Sequence, residues 1–157
     1  MAYQKLQARR ALAVVKDDNI DIPNPAATAA SGQTTAATAN KLTDSSATFL
    51  NDNIKVGDIV YDTTTPAVTT VTAVDSDTVL SVATGIGNTK DYVIYSQIDN
   101  PSNGCVLFAG GAGDIELITV DGDTVLFKGI VAGQFLPVQV KRVKGANTTA
   151  TDIVALW

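Results

Sequence analysis

The stretch GDTVLFKGIVAGQFLPVQVKRV, residues 122–143, decides the fold that the sequence predicts. Its second half places Leu136, Val138 and Val140 at every other position, and this two-residue period is that of a β-strand. Glycines interrupt the stretch and separate two such strands. Pro137 has no N–H to donate to a neighbouring strand, so its strand should lie at a sheet edge or carry a bulge there.

The composition extends this β pattern to the whole chain of 157 residues. Fifteen of the sixteen acidic residues are Asp, and Thr and Gly are abundant, whereas Glu and Met, which favour helices, are scarce. With 45% hydrophobic residues the chain can bury a core. We therefore predict an all-β protein, in which a small, discontinuous β-sandwich or barrel domain carries an inserted small β-barrel-like domain.

Two breaks in the pattern divide the chain. Residues 26–40 are rich in Ala and Thr and carry no charge and no large apolar side chain, which is typical of a linker or extended arm. The turn residues of DNPSNG, residues 99–104, mark the second break. The predicted organisation is a first β domain at 1–25 and 98–157, a linker at 26–40, and an inserted β domain at 41–97.

Short strands are predicted throughout the inserted segment, in the runs TFL, KVGDIVYD, AVTTVTAV, DTVLSV and DYVIYS. DSD, residues 75–77, separates two of these runs and predicts a hairpin. In the last third of the chain DGD, residues 121–123, predicts another hairpin, and AGG, residues 109–111, predicts a bend between strands. About five short strands are enough to close a small barrel, an architecture that does not itself define an activity.

The charge is unevenly distributed along the chain, whose net charge is −5. Residues 1–16 and 128–144 each hold four cations and no anion, whereas residues 17–127 hold fifteen anions and three cations. We expect the basic ends to meet an acidic protein surface, such as that of a neighbouring copy; the alternative is that these charges are simply solvated. Nucleic acid is a poor candidate partner because no aromatic side chains for base stacking lie near these cations. The candidate interface residues are Arg9, Arg10, Lys141, Arg142 and Lys144.

The residue inventory excludes most catalytic chemistry. The chain has no histidine and one cysteine, Cys105, so a Ser-His-Asp triad, a Cys-His dyad and a standard zinc site are excluded. The pairs Asp75 with Asp77 and Asp121 with Asp123 lie in predicted turns, and weak calcium binding is their alternative role. AGGAGD is followed by a strand-like run and so lacks the context of a phosphate loop. We predict no enzyme activity, no catalytic, cofactor-binding or metal site, and, without an apolar run of about eighteen residues, no membrane span.

The C-terminal third carries three spaced motifs: Gly-Asp-x-Val, Ala-Gly-x-x-Leu-Pro-Val and Thr-Thr-Ala-x-x-Ile-Val-Ala-Leu. With them the sequence resembles the spike base family of gene transfer agent heads and tailed phages. RRALAVVKDDNIDIPNP, residues 9–25, is similar to the opening arm of that family. The resemblance covers residues 8–25 and about 104–157, near half of the chain. Residues 26–97 depart from it and resemble small β modules of phage virion proteins.

This resemblance implies a discontinuous domain, with its first strand at residues 12–15 and its remainder at residues 104–157. It also implies a bacteriophage virion structural protein on the capsid surface, either a head decoration (cement) protein or a base for a spike or fibre. The expected partners are further copies in a trimer or pentamer, the major capsid protein, and a spike or fibre protein.

Two alternative functions accompany this interpretation. One is a tail or baseplate adaptor, which would dock through the same kind of protein contacts at another place on the particle. The other is a glycan-binding adhesin module, in which an aromatic ring stacks on a sugar; core packing is the competing role for each such ring because each lies in an apolar run. The candidate sugar-stacking residues are Tyr61, Tyr92, Tyr95 and Trp157.

Overall fold

The structure, a computed structural model, describes residues 8–157. Every regular element in that range is a β-strand, which confirms the predicted all-β class. The chain divides into two compact units. The first unit comprises the described residues up to Ile22 together with Asn103–Trp157, and is therefore discontinuous, whereas the second unit comprises Pro23–Ser102.

Twelve strands make up the described part of the two units. In chain order they are β1 (Ala11–Ala13), β2 (Thr28–Gln33), β3 (Lys41–Thr43), β4 (Ile59–Asp62), β5 (Ala67–Val74), β6 (Val79–Val82), β7 (Asp91–Tyr95), β8 (Cys105–Ala109), β9 (Gly113–Thr119), β10 (Thr124–Ile130), β11 (Gln134–Val143) and β12 (Ile153–Leu156). The sheet of the first unit has the order β1-β12-β8-β11-β9-β10, and that of the second has the order β2-β7-β4-β5-β6-β3. All paired strands are antiparallel.

The opening segment is an integral strand of the first sheet. In β1, Ala11 lies opposite Leu156 and Ala13 lies opposite Val154 of β12. The pairing continues beyond the strand, where the Val14 N–H donates to the Ile153 carbonyl at 2.8 Å. The first and last strands of the unit are thus hydrogen-bonded neighbours, although almost the whole sequence separates them.

The core of the first unit lies on one face of this sheet. Side chains alternate along a strand, and β8 and β12 accordingly bury every second residue. Burying each large aliphatic side chain contributes about 1.5–3 kcal/mol to stability. The buried core residues are Ile22, Cys105, Leu107, Ala109, Ile115, Leu117, Ile130, Leu136, Val140, Val143, Ala150, Ile153 and Ala155.

The strand that contains Pro137 lies in the interior of the sheet. β11 pairs with β8 on one side and with β9 on the other. Its register against β8 shifts between Leu136 and Val140, so the missing N–H of Pro137 falls in an irregular part of the ladder. The bulge therefore accommodates the proline on the β8 side. The described ladder to β9 runs from Val140 to Val143, so Pro137 lies outside it and has no strand partner on that side, as the edge alternative also expects.

The glycines of the AGG run form a bend between β8 and β9, as predicted. The N–H groups of Gly110 and Gly111 donate to the carbonyls of Asp152 and Thr151 at 3.0 and 2.9 Å. Gly113 begins β9 with a φ of 148°, and a Cβ there would collide with the backbone of the segment before β12. The bend therefore requires glycine because another part of the chain approaches its backbone closely.

The second unit builds a separate core on its own curved sheet. Its edge strands β2 and β3 approach each other through a bridge between Ala36 and Thr43, and the Thr35 N–H donates to the Thr43 carbonyl at 2.8 Å. This arrangement fits the predicted barrel-like domain. The buried core residues are Leu42, Phe49, Ile54, Val60, Val71, Leu80, Val82, Ile86, Tyr92 and Ile94.

Several local predictions were wrong. The predicted linker at 26–40 contains β2, which pairs with β7, because small side chains do not prevent the backbone from joining a ladder. The TFL run forms no strand; its Phe49 is a fully buried residue of a turn segment. The units change over after Ile22 and after Ser102, close to the predicted bounds of 25 and 98, and the second change lies within the predicted break at residues 99–104. The hairpins at 75–77 and 121–123 were correct.

Candidate protein interface

Arg142, a candidate interface residue, is bound within its own unit. Its Nε donates to Asp21 Oδ1 at 2.7 Å, and one terminal nitrogen donates to the Asp18 carbonyl at 3.0 Å. Asp18 in turn accepts the N–H of Gly145 through Oδ1 at 3.0 Å. These bonds fasten the segment after β1 to the end of β11, so Arg142 has a structural role that its charge pattern did not reveal.

Lys144 and Lys141 also lie at this seam within the first unit. Lys144 Nζ is 3.3 Å from Glu116 Oε2, and its N–H donates to the Glu116 carbonyl at 2.8 Å. The carbonyl of Lys141 accepts the Ile22 N–H at 2.8 Å. The structure therefore does not present the three C-terminal candidates as one unpaired basic patch.

The two remaining candidates, Arg9 and Arg10, lie near the start of the described chain, immediately before β1. Both residues are exposed, and their backbone pairs with the last residue of the described chain: the Trp157 N–H donates to the Arg10 carbonyl at 3.0 Å. β1 is the edge strand of the sheet, so these two cations border the sheet on that side. Their contact with an acidic partner remains a prediction.

The sheet of the first unit has a second apolar face, which we call the outer apolar face. Along β8 the residues Val106 and Phe108 alternate with buried core residues and therefore point away from the core. They belong neither to the core nor to the side chains packed against it. Phe108 lies opposite Phe135 of β11, with 5.1 Å between the ring centroids, and Phe135 is 57% exposed.

The outer apolar face continues across the neighbouring strands. Phe108 lies opposite Val154 of β12 on its other side, and Val154 lies opposite Ala13 of β1. In the next row Val106 lies opposite Leu156. No charged residue interrupts these rows. The sequence carries a signal for this face that the charge pattern does not: CVLFA and IVAL are uninterrupted apolar runs, and such runs are typical of strands covered on both faces.

β10 forms the opposite edge of the same sheet and is also unusually apolar for an exposed strand. Val125 and Leu126 are 39% and 38% exposed, and Val131, directly after the strand, is 62% exposed. Large apolar side chains that cluster on a surface mark interaction sites more often than isolated ones do.

The aromatic candidates for sugar stacking are core residues. Tyr61, Tyr92 and Tyr95 are all buried, and the rings of Tyr61 and Tyr95 meet edge to face at 6.5 Å between centroids. The Tyr92 hydroxyl donates to Asp44 Oδ2 at 2.7 Å in the interior. Trp157 packs against the first core. The three tyrosines offer no ring face to a glycan, so this part of the adhesin alternative is wrong.

The turn pair Asp75 and Asp77 has protein partners. Asp75 accepts hydrogen bonds from Lys41 Nζ at 2.9 Å and from the Ser81 hydroxyl at 2.8 Å, and these bonds lower the pKa of its carboxyl. Asp77 accepts the Leu50 N–H at 3.2 Å. Within residues 8–157 the structure brings no three His, Cys, Asp or Glu side chains into a metal-binding group.

The thiol of Cys105 is buried in the first core. Its Sγ donates to the Val140 carbonyl at 3.4 Å, and burial raises its pKa to about 12. The protonated thiol is a weak nucleophile, because the thiolate is the reactive form. This environment suits a small packing residue.

Comparisons of the chain with protein-family models, with curated proteins and with solved structures found no match in any of the three. In the part of the chain that the structure describes, no helix has the length and apolar character needed to cross a membrane.

Proposed function

We propose that this protein is a non-enzymatic structural component of a tailed phage or gene transfer agent particle. It sits on the capsid exterior as a decoration subunit or as the base of a spike or fibre, and forms a homo-oligomer. The observation that carries the proposal is the outer apolar face, a sheet surface of apolar side chains that the core of its own unit does not cover. The resemblance of the C-terminal motifs to the spike base family directs the proposal to a virion.

Docking through such a face requires only the burial of apolar surface and a partner of complementary shape. Removing apolar surface from water contributes about 25 cal/mol per Å², and a rigid sheet loses little entropy when it binds. On a particle many copies bind together, and linked contacts hold even when each single contact is weak. The major capsid protein, or the neighbouring copy in a trimer or pentamer, is the proposed occupant of the face.

The segment that contains β1 completes the outer apolar face and gives it a charged border. β1 extends the apolar rows by Ala11 and Ala13, and the bonds of Arg142 fix the chain that follows it. Arg9 and Arg10 stand beside the face. Interfaces commonly combine an apolar centre with a polar rim, and a cationic rim selects an acidic partner surface.

A single charge at Phe135, where the face ends on β11, tests the proposal. Phe135→Glu should reduce incorporation into purified particles at least tenfold in a strain that lacks the natural gene, while the isolated protein keeps its β-sheet circular dichroism spectrum. Leu50→Glu is the matched control, because Leu50 is 60% exposed in the second unit. Equal incorporation of the two variants would contradict the role of the face.

Cryo-electron microscopy of particles with and without the gene tests the location. The proposal expects loss of density from the capsid exterior. Loss of density from the tail instead would replace it with the tail or baseplate adaptor.

A further inference from the structure

The edge strand β10 has one side without a partner strand in the sheet. Among the described residues, β9 is the strand that pairs with it, and Thr124 lies opposite Ile118 in that ladder. The Thr119 N–H donates to the Asp123 carbonyl at 2.9 Å, so Asp123 faces β9 with its hydrogen-bonding groups. These groups alternate along an antiparallel strand. Thr124, Leu126 and Lys128 therefore direct their N–H and C=O groups away from β9.

The outward-facing stretch has clear limits. It begins after the turn at residues 121–123 and ends at Gly129, where φ is 67° and the register against β9 shifts. Five residues, Thr124 to Lys128, remain for regular pairing, and Leu126 is their centre.

We propose that β10 of one copy pairs antiparallel with β10 of a second copy, with Leu126 on the two-fold axis between them. The register follows from the outward-facing groups, because residues that exchange two hydrogen bonds lie directly opposite each other. Leu126 then faces Leu126 of the second copy, and Thr124 faces Lys128 of the second copy. The surface is self-complementary, as a two-fold contact requires.

Two side chains on the core face of β10 support a second copy of the strand as its partner. Val125 and Phe127 lie opposite the buried residues Leu117 and Ile115 of β9, so they share the core face. Val125 nevertheless stays 39% exposed at the rim of the core. In the proposed register it lies opposite Phe127 of the second copy, and a β-branched residue beside an aromatic one is a favourable cross-strand pair. Each copy thus covers the rim that the other leaves open.

The charges of the strand select the antiparallel direction. Asp121 and Asp123 lie at its beginning and Lys128 lies near its end. Antiparallel pairing brings the cation of each copy towards the anionic turn of the other, whereas parallel pairing would place like charges together.

This inference rests on the self-association part of the proposed function, and it specifies the partner as a second copy of this chain. Five paired residues bury much less than the roughly 800 Å² per partner of a standard stable complex. The contact is therefore weak between isolated molecules and becomes strong when copies are held side by side. A two-fold contact of this kind links neighbouring copies or oligomers, and does not by itself close a trimer or pentamer.

Single cysteines placed along β10 test the register in the purified full chain. Leu126→Cys should form a disulfide-linked dimer under mild oxidation, because opposed residues in such a pair have Cα atoms about 5.5 Å apart, within the range that a disulfide spans. Thr124→Cys alone should not, since the two copies of residue 124 are about 13 Å apart in this register. A mixture of Thr124→Cys and Lys128→Cys should cross-link. The unmodified chain controls for Cys105, which is buried.

A second measurement avoids new cysteines. Leu126→Lys places two cations on the axis and should weaken dimerisation in sedimentation at high protein concentration by at least tenfold, whereas Val131→Lys adds the same charge beside the strand and should not. Leu126→Cys that cross-links no better than Thr124→Cys, or a Leu126→Lys variant that associates like the unmodified chain, would overturn the proposal. Both measurements use isolated protein, so their failure leaves the particle-incorporation test of the proposed function unaffected.

Discussion

Gly32 shows how one residue is fixed by a buried pair beside it. Asp44 accepts the Tyr92 hydroxyl in the interior of the second unit, and a Cβ on Gly32 would collide with both of these polar groups. Neither group can move without breaking the hydrogen bond that satisfies it. We predict that Gly32→Ala lowers the free energy of unfolding by about 1–3 kcal/mol, measured by urea denaturation.

Gly87→Ala is the matched control for this change. A Cβ there meets its nearest atom, of Lys90, at 3.7 Å, which is an ordinary contact. We expect its effect to stay within about 0.5 kcal/mol. Equal effects of the two substitutions would contradict a specific role for the crowding around Asp44, because the reduced backbone freedom of the unfolded chain stabilises both variants alike.

The buried tyrosines make the second unit sensitive to alkaline pH. Burial, followed by the hydrogen bond to Asp44, raises the pKa of Tyr92, and burial also raises the pKa values of Tyr61 and Tyr95. The unfolded chain releases these protons near the ordinary tyrosine pKa of about 10, whereas the folded chain keeps them. The stabilising contribution is therefore complete below about pH 10 and is lost as the pH rises further.

Urea denaturation between pH 8 and pH 12 checks this expectation. The free energy of unfolding should fall above about pH 10, and tyrosinate absorbance should appear together with unfolding. Tyrosinate that appears in the folded protein at about pH 10 would contradict the burial of these side chains.

The chain that follows β1 depends on Arg142 for its attachment. The Arg142–Asp21 pair is partly buried, with side-chain exposures of 21% and 28%, and a second bond reaches the Asp18 carbonyl. We predict that Arg142→Gln costs about 1–2 kcal/mol of unfolding free energy and speeds amide exchange at Ile22. Charge reversal at Arg142 should perturb the fold of the first unit, so it cannot serve as a clean test of an interface.

Lys141→Gln is the control, because Lys141 contributes its backbone carbonyl to the same seam and forms no ion pair among the described residues. Its unfolding free energy should change by less than about 0.5 kcal/mol. A similar loss of unfolding free energy in both variants would show that removing any positive charge here destabilises the unit, and that the Arg142–Asp21 pair has no special role.

Elements with a strong local signal were predictable from the sequence. β5 alternates along its length and meets β6 through a turn rich in Asp and Ser, and β9 meets β10 through DGD. β2 carried no such signal, since its Ala and Thr side chains give no hydrophobic period; its position comes from pairing with β7, a strand far along the chain. Phe49 lies in the core although it belongs to no strand, so a strand pattern could not predict its burial.

The candidate interface is a property of the whole molecule and was less predictable. The charge blocks identified cations, but long-range pairing decides which of them bind internally, and Asp21 and Arg142 are far apart in sequence. The outer apolar face likewise exists because topology places β12 between β1 and β8. Apolar runs predict strands with two covered faces, yet they do not tell which strands become neighbours.

The two-unit architecture leads to a prediction for the whole chain. The second unit has its own buried core, and its two ends meet where Asn24 Nδ2 donates to the Asn100 carbonyl at 3.3 Å. A segment with a separate core and adjacent ends can fold alone, and its insertion costs the host domain little loop entropy. We predict that residues 23–102, expressed alone, give dispersed amide NMR signals and one cooperative unfolding transition.

Leu80→Ala in this segment provides the control for a native core. Leu80 is fully buried, so the substitution should destabilise the isolated segment by about 2–5 kcal/mol and shift a transition of the full chain in the same direction. Cys105→Ala, in the first core, should leave that transition in place, because distant sites act independently. An isolated segment without cooperative unfolding would mean that the second unit needs the discontinuous domain around it, and that the two cannot be assigned separate roles on a particle.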